Sequence, residues 1–582
     1  MRPSFLWRLA RGGLAAYTKR MKRILLAGLG ARYSHSSLAP LCLKYAAPES
    51  LPIELREFNI NERVQSIADA VLRDAPDALG LSCYIWNVEH ALKVASTVKK
   101  VLPDCFILLG GPEVSHDAPE WMEKHPFVDM IVCGAGEAPF AHFAERFCAG
   151  LDVSDTPSAW VREKGALRRN PEAPPWDMGD TRFMYGDLAA FEHRIVYYET
   201  SRGCPFRCAY CLSADEKMSY LDLARVEKEL EYFIRAGVRQ VKLVDRTFNY
   251  PQERAKAILR AMISLKRRYP QSPTGFHVEI SACLLDNETM DILASAPEGL
   301  LQLEVGIQST HADTLRAVRR AHDTQAVLRN AAALCAMGHL RVHTDLIAGL
   351  PEEDYARFAR SFDDVYALRP AALQLGFLKL LRGSALRRDA GKLGLVYTDY
   401  PPYEVLRTPL LSYAELSALH RVAELVDVLY NSGRFEMTLE RLVPAFASPF
   451  AFFERVSEFF GERGYFDSPQ PPQRAFELLA ALFRDSGEAA MEVLAYDWCR
   501  RSEGGAWPRG VPEPAQAEAS VLRAFLADAD NIRRYLPHCE GVAARQLERR
   551  CRLYAFPLLL GAPGWVLFDA GQRGFARLID AI

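Results

Sequence analysis

Short apolar runs alternate with stretches of helical periodicity in two separate blocks of this chain, and that alternation leaves few folds open. In the first block the runs are ILLAGL from Ile24, IELREFNI from Ile53, ALGLSCYI from Ala78, CFILLGG from Cys105 and VDMIVCG from Val128, separated by stretches such as VEHALKVASTVKKVL. They read as five βα units. Nearly continuous hydrophobic strands belong to a parallel sheet covered on both faces, so 22–150 is expected to form a doubly wound, flavodoxin-like or Rossmann-like domain with its ligand at the strand C-termini. The second block, 194–384, runs from IVYYET through VKLVD, FHVEIS, LQLEVGIQS, RVHTDLIAG and ALQLGFLKL, with helical stretches between them. That is about six further βα repeats.

Length and charge narrow the class. A chain of 582 residues is expected to hold several domains. With 71 Lys+Arg against 73 Asp+Glu, no global charge recruits nucleic acid or an anionic membrane. No run approaches the roughly 18 apolar residues of a membrane span, and 13 cysteines are too sparse for a disulfide scaffold. The expectation is a soluble cytoplasmic protein of unspecified oligomeric state. Residues 1–21 carry Arg2, Arg8, Arg11, Lys19 and Arg20 without an acid, and Arg8 and Arg11 break the apolar core that a signal peptide needs. They are expected to be a disordered or mis-started extension.

The sharpest signal is SRGCPFRCAYCLS, where Cys204, Cys208 and Cys211 follow a strand in C-x3-C-x2-C spacing. Three thiolates on one loop can hold three irons of a [4Fe–4S] cluster and leave the fourth iron open. Structural zinc requires four protein ligands, and the neighbouring sequence supplies no fourth Cys or His. Polar residues stand at the C-terminal ends of the strands that follow: Asp245, Glu279, Ser281, Glu304, Gln308, His343, Asp345 and Lys379. Carboxylates converging on one sheet end point to a site, because burying them unpaired is costly.

The cysteine spacing, with Tyr210 before the third cysteine, resembles the signature of the radical SAM superfamily, C-x3-C-x-aromatic-C. The resemblance implies a partial TIM-type (βα)6 barrel over 194–384, with chemistry at the strand C-termini. It implies that Tyr210 lies near the adenine of S-adenosylmethionine (SAM), that Asp245 in VKLVD contacts its amino group, and that Glu304, Gln308 and Arg320 help hold it. Asp345, in DLIAGLP, would serve SAM or the substrate, so Asp245 and Asp345 are the candidate catalytic residues.

The domain at 22–150 then resembles the cobalamin-binding half of B12-dependent radical SAM proteins. Ser82, Gly110, Gly111, Gly134 and Glu137 match the places that hold the corrin and its tail. The D-x-H-x-x-G motif is absent. Around His35, Tyr33 stands where the Asp would be and Leu38 where the Gly would be, so cobalamin is expected to bind without a lower histidine from the protein. His35 would hydrogen-bond within its loop or pack beside the corrin. The segment 151–193 reads as a linker.

From residue 385 to 582 the strand–helix alternation stops. SYAELSALHRVAELVDVLYNSG carries a capping box, Ser412 and Glu415, and an apolar stripe. Further helices are expected near Phe452, Ala475 and Ala517. This tail resembles a C-terminal domain of unknown function found in one B12-type radical SAM subset.

Taken with its cofactors, [4Fe–4S], SAM and cobalamin, the resemblance implies an enzyme that cleaves SAM reductively to a 5′-deoxyadenosyl radical and methylates an unactivated carbon of an unidentified substrate. A non-methylating rearrangement or oxidation, or a non-catalytic cobalamin or cluster sensor, are the alternatives. The implied partners are a small-molecule substrate and an electron donor such as flavodoxin or ferredoxin.

Overall fold

In a computed structural model of the chain, residues 20–320, 322–501, 506–561, 564–572 and 574–579 are described. The expectation for the N-terminal extension therefore falls, up to residue 19, outside the described residues. The chain divides into two compact units, Met1–Tyr197 and Tyr198–Ile582.

The first unit is built on strands β1 (Ile24–Gly30), β2 (Ile53–Asn59), β3 (Ala78–Ser82), β4 (Phe106–Gly110) and β5 (Met130–Val132). They pair in parallel in the order β2-β1-β3-β4-β5, the flavodoxin-like order. Period-two alternation within β1 explains why both faces are covered. Leu25, Ala27 and Leu29 enter one apolar core, whereas Ile24 and Leu26 enter another on the opposite face. The segment expected to be a linker adds to this sheet: β6 (Ala159–Glu163) and β7 (Ala166–Arg169) form a hairpin that pairs antiparallel with β5. Its outer strand, ALRR, carries three cationic or small residues and one leucine, so it lacks the apolar run by which the other strands announce themselves.

A second sheet has six strands, the first ending at Tyr198 where the second unit begins, and their order in the sheet follows the chain: β8 (Val196–Tyr198), β9 (Gln240–Leu243), β10 (Gly275–Ile280), β11 (Leu301–Gln308), β12 (Arg341–Ala348) and β13 (Ala372–Phe377). The expected (βα)6 arrangement is present. Asp222, Asp286, Asp323 and Asp354 each accept from a backbone N–H in the first turn of the next helix, which fixes where each helix starts.

β13 is the last strand of the sheet and would expose a row of unpaired backbone groups. The tail covers it. Helix Tyr413–Leu425, with the expected Ser412–Glu415 capping box, passes into a π-helical turn, Val426–Asn431. There the Asn431 carboxamide acts as a one-residue strand: it accepts from Leu373 N at 2.8 Å and donates to Leu373 O at 2.9 Å. Tyr430 adds a hydroxyl to Pro370 O at 2.6 Å. Helix Pro449–Gly461 packs Phe450 and Phe453 on Phe362 of helix Tyr355–Tyr366.

The tail is mainly helical, as expected, with two additions, the first a short antiparallel pair of Val396–Tyr397 with Val405–Arg407. Strands β14 (Cys551–Ala555), β15 (Trp565–Asp569) and β16 (Ala576–Leu578) form an antiparallel sheet over its own apolar core. Among the described residues no helix is long and apolar enough to cross a membrane.

Candidate functional site

β8 leads into the cysteine loop at the C-terminal end of the sheet. Gly203 opens the loop with φ of 89°, and a Cβ there would lie 2.6 Å from Lys217 O, so the turn requires glycine. Ala209, between the second cysteine and Tyr210, is held from both sides: its N–H donates to Val318 O and its carbonyl accepts from Leu386 N, each at 2.9 Å. Cys208 is buried, and Cys204 and Cys211 are partly exposed. Arg320 links the loop to the barrel, donating from Nη1 to the Cys208 sulfur at 3.5 Å and from Nη2 to Gly306 O at 2.6 Å. Burial pushes the Tyr210 hydroxyl well above its ordinary range, while Arg320 pulls it back.

Thiolates on a single zinc ion lie within about 4 Å of one another. Among the described residues, only His538, Cys539 and Asp569 bring three potential ligand atoms within 4.8 Å, so the three loop cysteines do not converge on one ion. Their loop fits a larger centre with an open position. The His538 group is already filled by Arg550, whose Nε and Nη2 lie 2.9 and 3.0 Å from the Asp569 carboxylate.

Behind the loop, alternate residues of β9 to β12 turn polar side chains into the barrel, while their apolar neighbours face the helices. In β11 the half-buried set is Gln302, Glu304, Gly306 and Gln308, and the buried set is Leu301, Leu303, Val305 and Ile307. Register stacks these residues in layers: Glu279 pairs with Glu304, Glu304 with His343, and Gly306 with Asp345. Glu304 is held at 2.9 Å by His277 Nε2 and at 3.1 Å by Lys242 Nζ, and Gln302 Nε2 lies 3.4 Å from His277 Nδ1 and 3.3 Å from His343 Nδ1. The hydrogen bond from His277, with Lys242 beside it, holds the Glu304 carboxyl down at about 2.

Asp345 is the opposite case. Its Oδ1 is buried without a hydrogen-bond partner, and burial, reinforced by the Glu304 and Glu279 carboxylates, raises its pKa to about 8. A carboxyl whose folded pKa lies above its ordinary 3.8 takes up a proton on folding, so stability is lost as pH rises through the interval up to about 8. Asp345→Asn keeps the shape and removes the charge. In SAM-free protein its unfolding free energy should match wild type near about pH 4 and exceed it increasingly up to about pH 8, by on the order of a few kcal/mol at the top. Thermal melts across that range decide, and an offset equal at every pH would contradict the assignment.

Of the residues expected around SAM, Tyr210, Arg320, Glu304, Gln308 and Asp345 surround the mouth behind the cysteine loop. Gln308 has φ of 71° and lies at a register shift, and its side chain folds back over Gly306, where a Cβ would meet Nε2 at 2.4 Å. Asp245 is placed differently. Only 1% exposed, it accepts from Thr200 N at 2.8 Å, from the Thr200 hydroxyl, and from Ser201 Oγ at 2.8 Å. Its carboxylate is spent on the two residues that launch the cysteine loop. Lys242, His277 and Gln302 were missed in the sequence, although the alternation in FHVEI and LQLEVGIQ marks two of them as sharing a face with Glu279 and Glu304.

In the first unit, Ser82 and Gly110 are register partners at the C-terminal sheet edge. Gly111, with φ of 105°, sits where a Cβ would lie 2.5 Å from Cys83 O, so only glycine lets the turn after β4 approach the end of β3. A Cβ on Gly134 would meet nothing within 4 Å, and Glu137 is buried at the start of helix Glu137–Ala149. Trp86, stacked on Tyr84 at 4.4 Å and 48% exposed, and Tyr33, 74% exposed, stand in the loops after β3 and β1. Sequence order reverses between those two strands, where an α/β sheet binds its ligand. An open, glycine-edged rim with exposed aromatic rings fits a large, flat cofactor. His35 pairs through Nδ1 with the Tyr197 hydroxyl and stacks on that ring at 5.9 Å.

Comparison with known proteins matches each region to a family: residues 38–144 to the B12 binding domain, 198–365 to the Radical SAM superfamily and 391–562 to a protein of unknown function, DUF4080. The three regions of the chain are thus similar, in order, to the parts of a B12-binding radical SAM protein with a DUF4080 tail, and the matched families carry the [4Fe–4S] cluster, SAM and cobalamin as the cofactor set. It is 29% identical over 328 residues to the cobalamin-dependent radical SAM methyltransferase TokK of Streptomyces tokunonensis, covering 52% of this chain and 45% of TokK. It is 30% identical over 316 residues to the 2-(S-pantetheinyl)-carbapenam-3-carboxylate methyltransferase of Streptantibioticus cattleyicolor, covering 50% and 44%. The match spans less than half the length of these curated relatives. Among solved structures, the fold is shared with the radical SAM methyltransferase TsrM of Kitasatospora setae (TM-score 0.58, 17% identity, 75% of this chain and 95% of that one). It is likewise shared with the cobalamin-dependent SAM radical enzyme OxsB (TM-score 0.58, 13% identity, 89% and 81%).

Proposed function

We propose that this chain is a cobalamin-dependent radical SAM methyltransferase acting on an unactivated carbon of a small-molecule substrate. The observation that carries the proposal is the cysteine loop hung over a polar barrel lumen and tied to it by Arg320, in a chain whose other unit ends in an open, glycine-edged sheet rim. The curated relatives, both methyltransferases, support the same reading. When bound, the cofactors supply reductive cleavage of SAM to a 5′-deoxyadenosyl radical and a methyl group for transfer.

The chain's own residues position and protect. Cys204, Cys208 and Cys211 would hold the cluster, and Arg320 beside Cys208 offsets thiolate charge in a buried setting. Tyr210, Gln308, Glu304 and Asp345 offer SAM a mixed surface: an ionised carboxylate at Glu304, a protonated carboxyl at Asp345, a carboxamide and a ring. Asp245 acts through Thr200 and Ser201, as a positioning residue for the loop. Ser82, Gly110, Gly111, Gly134 and Glu137 would line the cobalamin rim. The reducing cytoplasm suits a chain whose 13 cysteines are all free.

Anaerobically reconstituted protein given SAM, cobalamin, a strong reductant and candidate substrates should release both 5′-deoxyadenosine and S-adenosylhomocysteine with a methylated product. Turnover of SAM without a methylated product would overturn the transferase assignment. Because the His35 Nδ1 is engaged by the Tyr197 hydroxyl, we further expect Co(II) protein to lack nitrogen superhyperfine splitting from His35. EPR of wild type and His35→Ala should agree, and splitting lost in the variant would refute this.

A further inference from the structure

Gln308 closes β11 in a conformation that needs support from elsewhere. Its φ of 71° is a left-handed value that residues with a side chain rarely hold, and it stands at the register shift where its carboxamide folds over Gly306. A second such residue, Glu352 with φ of 62°, lies in the loop between β12 and helix Tyr355–Tyr366. A buried contact joins the two turns. Ser309 Oγ donates to Glu353 Oε1 at 2.6 Å, and both residues are 0% exposed. Ser361, equally buried on that helix, adds a longer bond to the same oxygen at 3.4 Å. Glu353 Oε2 is buried without a hydrogen-bond partner, and a carboxyl is an expensive group to place so. Burial pushes it up to about 7, against the pull of the two serines.

The chain beyond Ser309 is rooted at the same point. Ser309 Oγ accepts from His311 N at 3.1 Å and so starts helix Ala312–Ala317, while Thr310 N donates to Ser361 Oγ at 3.1 Å. The helix leads to Val318, which holds Ala209 of the cysteine loop, and then to Arg320. Segment 308–320 therefore carries Gln308 at one end and Arg320 at the other.

We propose that Glu353 is a positioning residue for SAM, fixing through Ser309 the left-handed turn that aims the Gln308 carboxamide into the barrel mouth. The inference rests on the reading, given under Proposed function, that Gln308 faces SAM. Glu353 itself sits among the residues of helix Tyr355–Tyr366, behind the sheet, so its effect passes through the Ser309 hydroxyl and the backbone before it. Without the carboxyl, Gln308 is free to relax toward the extended φ of the rest of β11, which would carry its side chain off Gly306. Glutamine at 353 keeps an oxygen for Ser309 Oγ and places its amide nitrogen where Oε2 has no partner. It therefore separates the bond from the charge.

The test uses full-length reconstituted protein carrying Glu353→Ala, Glu353→Gln, Gln308→Ala, or Glu353→Ala with Gln308→Ala. SAM affinity is measured by calorimetry, and amide hydrogen exchange over 306–320 is followed by mass spectrometry in SAM-free protein. Glu353→Ala should weaken SAM binding on the order of tenfold, and Glu353→Gln should stay within about twofold of wild type. The double variant should bind no more weakly than Gln308→Ala alone, because a residue acting through Gln308 has nothing left to position. Exchange at 309–311 should quicken in Glu353→Ala and not in Glu353→Gln. If Glu353→Ala does not fold, Ser309→Ala removes the donor instead and takes its place in every comparison. Losses that add in the double variant would mean that Glu353 merely stabilises the fold, and wild-type affinity with unchanged exchange in Glu353→Ala would mean that it fixes nothing; either overturns the proposal. A wild type that binds no SAM would instead refute the functional reading, and the exchange data would then decide alone whether Glu353 fixes the turn.

Discussion

Replacing any one of Cys204, Cys208 or Cys211 by alanine should abolish iron incorporation and all 5′-deoxyadenosine release while leaving the fold intact. Wild-type protein reconstituted without oxygen should hold about four irons, whereas each variant should hold close to none, because two thiolates cannot retain a cluster that three support. The loop's backbone is fixed by Gly203 and by the two bonds at Ala209, none of which uses a cysteine side chain. The far-ultraviolet circular dichroism of the variants should therefore match wild type. Stoichiometric zinc in wild type, without visible charge-transfer absorption, would overturn the assignment.

Asp245→Ala should have the largest effect on stability. It removes the acceptor for Thr200 N, the Thr200 hydroxyl and Ser201 Oγ, all buried. Donors left unsatisfied in the interior cost roughly 1–3 kcal/mol each, so a total of about 3–5 kcal/mol is expected, which is a large part of a domain's stability. Burial pushes this carboxyl up and the hydrogen bonds from Thr200 and Ser201 draw it down, so the substitution also removes a buried charge and part of the loss is returned. Because the affected residues lead into the cysteine loop, cluster occupancy should fall in step with the melting temperature. Chemical denaturation of the apo protein measures the first, and iron analysis the second. A variant that folds and loads iron normally but loses SAM affinity would restore Asp245 to the direct role that its place in VKLVD suggested.

That revision shows where sequence stops being informative. Strand positions in both blocks were legible because a covered parallel strand is an apolar run, and the cysteine loop was legible because ligand spacing is local. Asp245 was visible as a polar residue at a strand end. Its partners were not, since Thr200 and Ser201 lie 45 and 44 residues away and meet it only when β8 and β9 pair. The same holds for the lumen. Glu304 stood out, but His277 and Lys242 became its partners through strand register, which no periodicity within one strand reveals. The hairpin β6–β7 and the sheet β14–β16 escaped for a different reason: their strands are only three to five residues long and every one but β15 is interrupted by arginine, so pairing is what makes them strands.

The bond pair between Asn431 and Leu373 also bears on how such a chain can be divided. A barrel ended near Ser384 would keep all three cysteines and the whole polar lumen, and would look self-sufficient by its catalytic parts. It would also present the free side of β13 to every other copy in solution, a ready template for edge-to-edge stacking. The tail's part in this molecule thus includes keeping the barrel solitary. Solubility, before turnover, is what its removal should cost first.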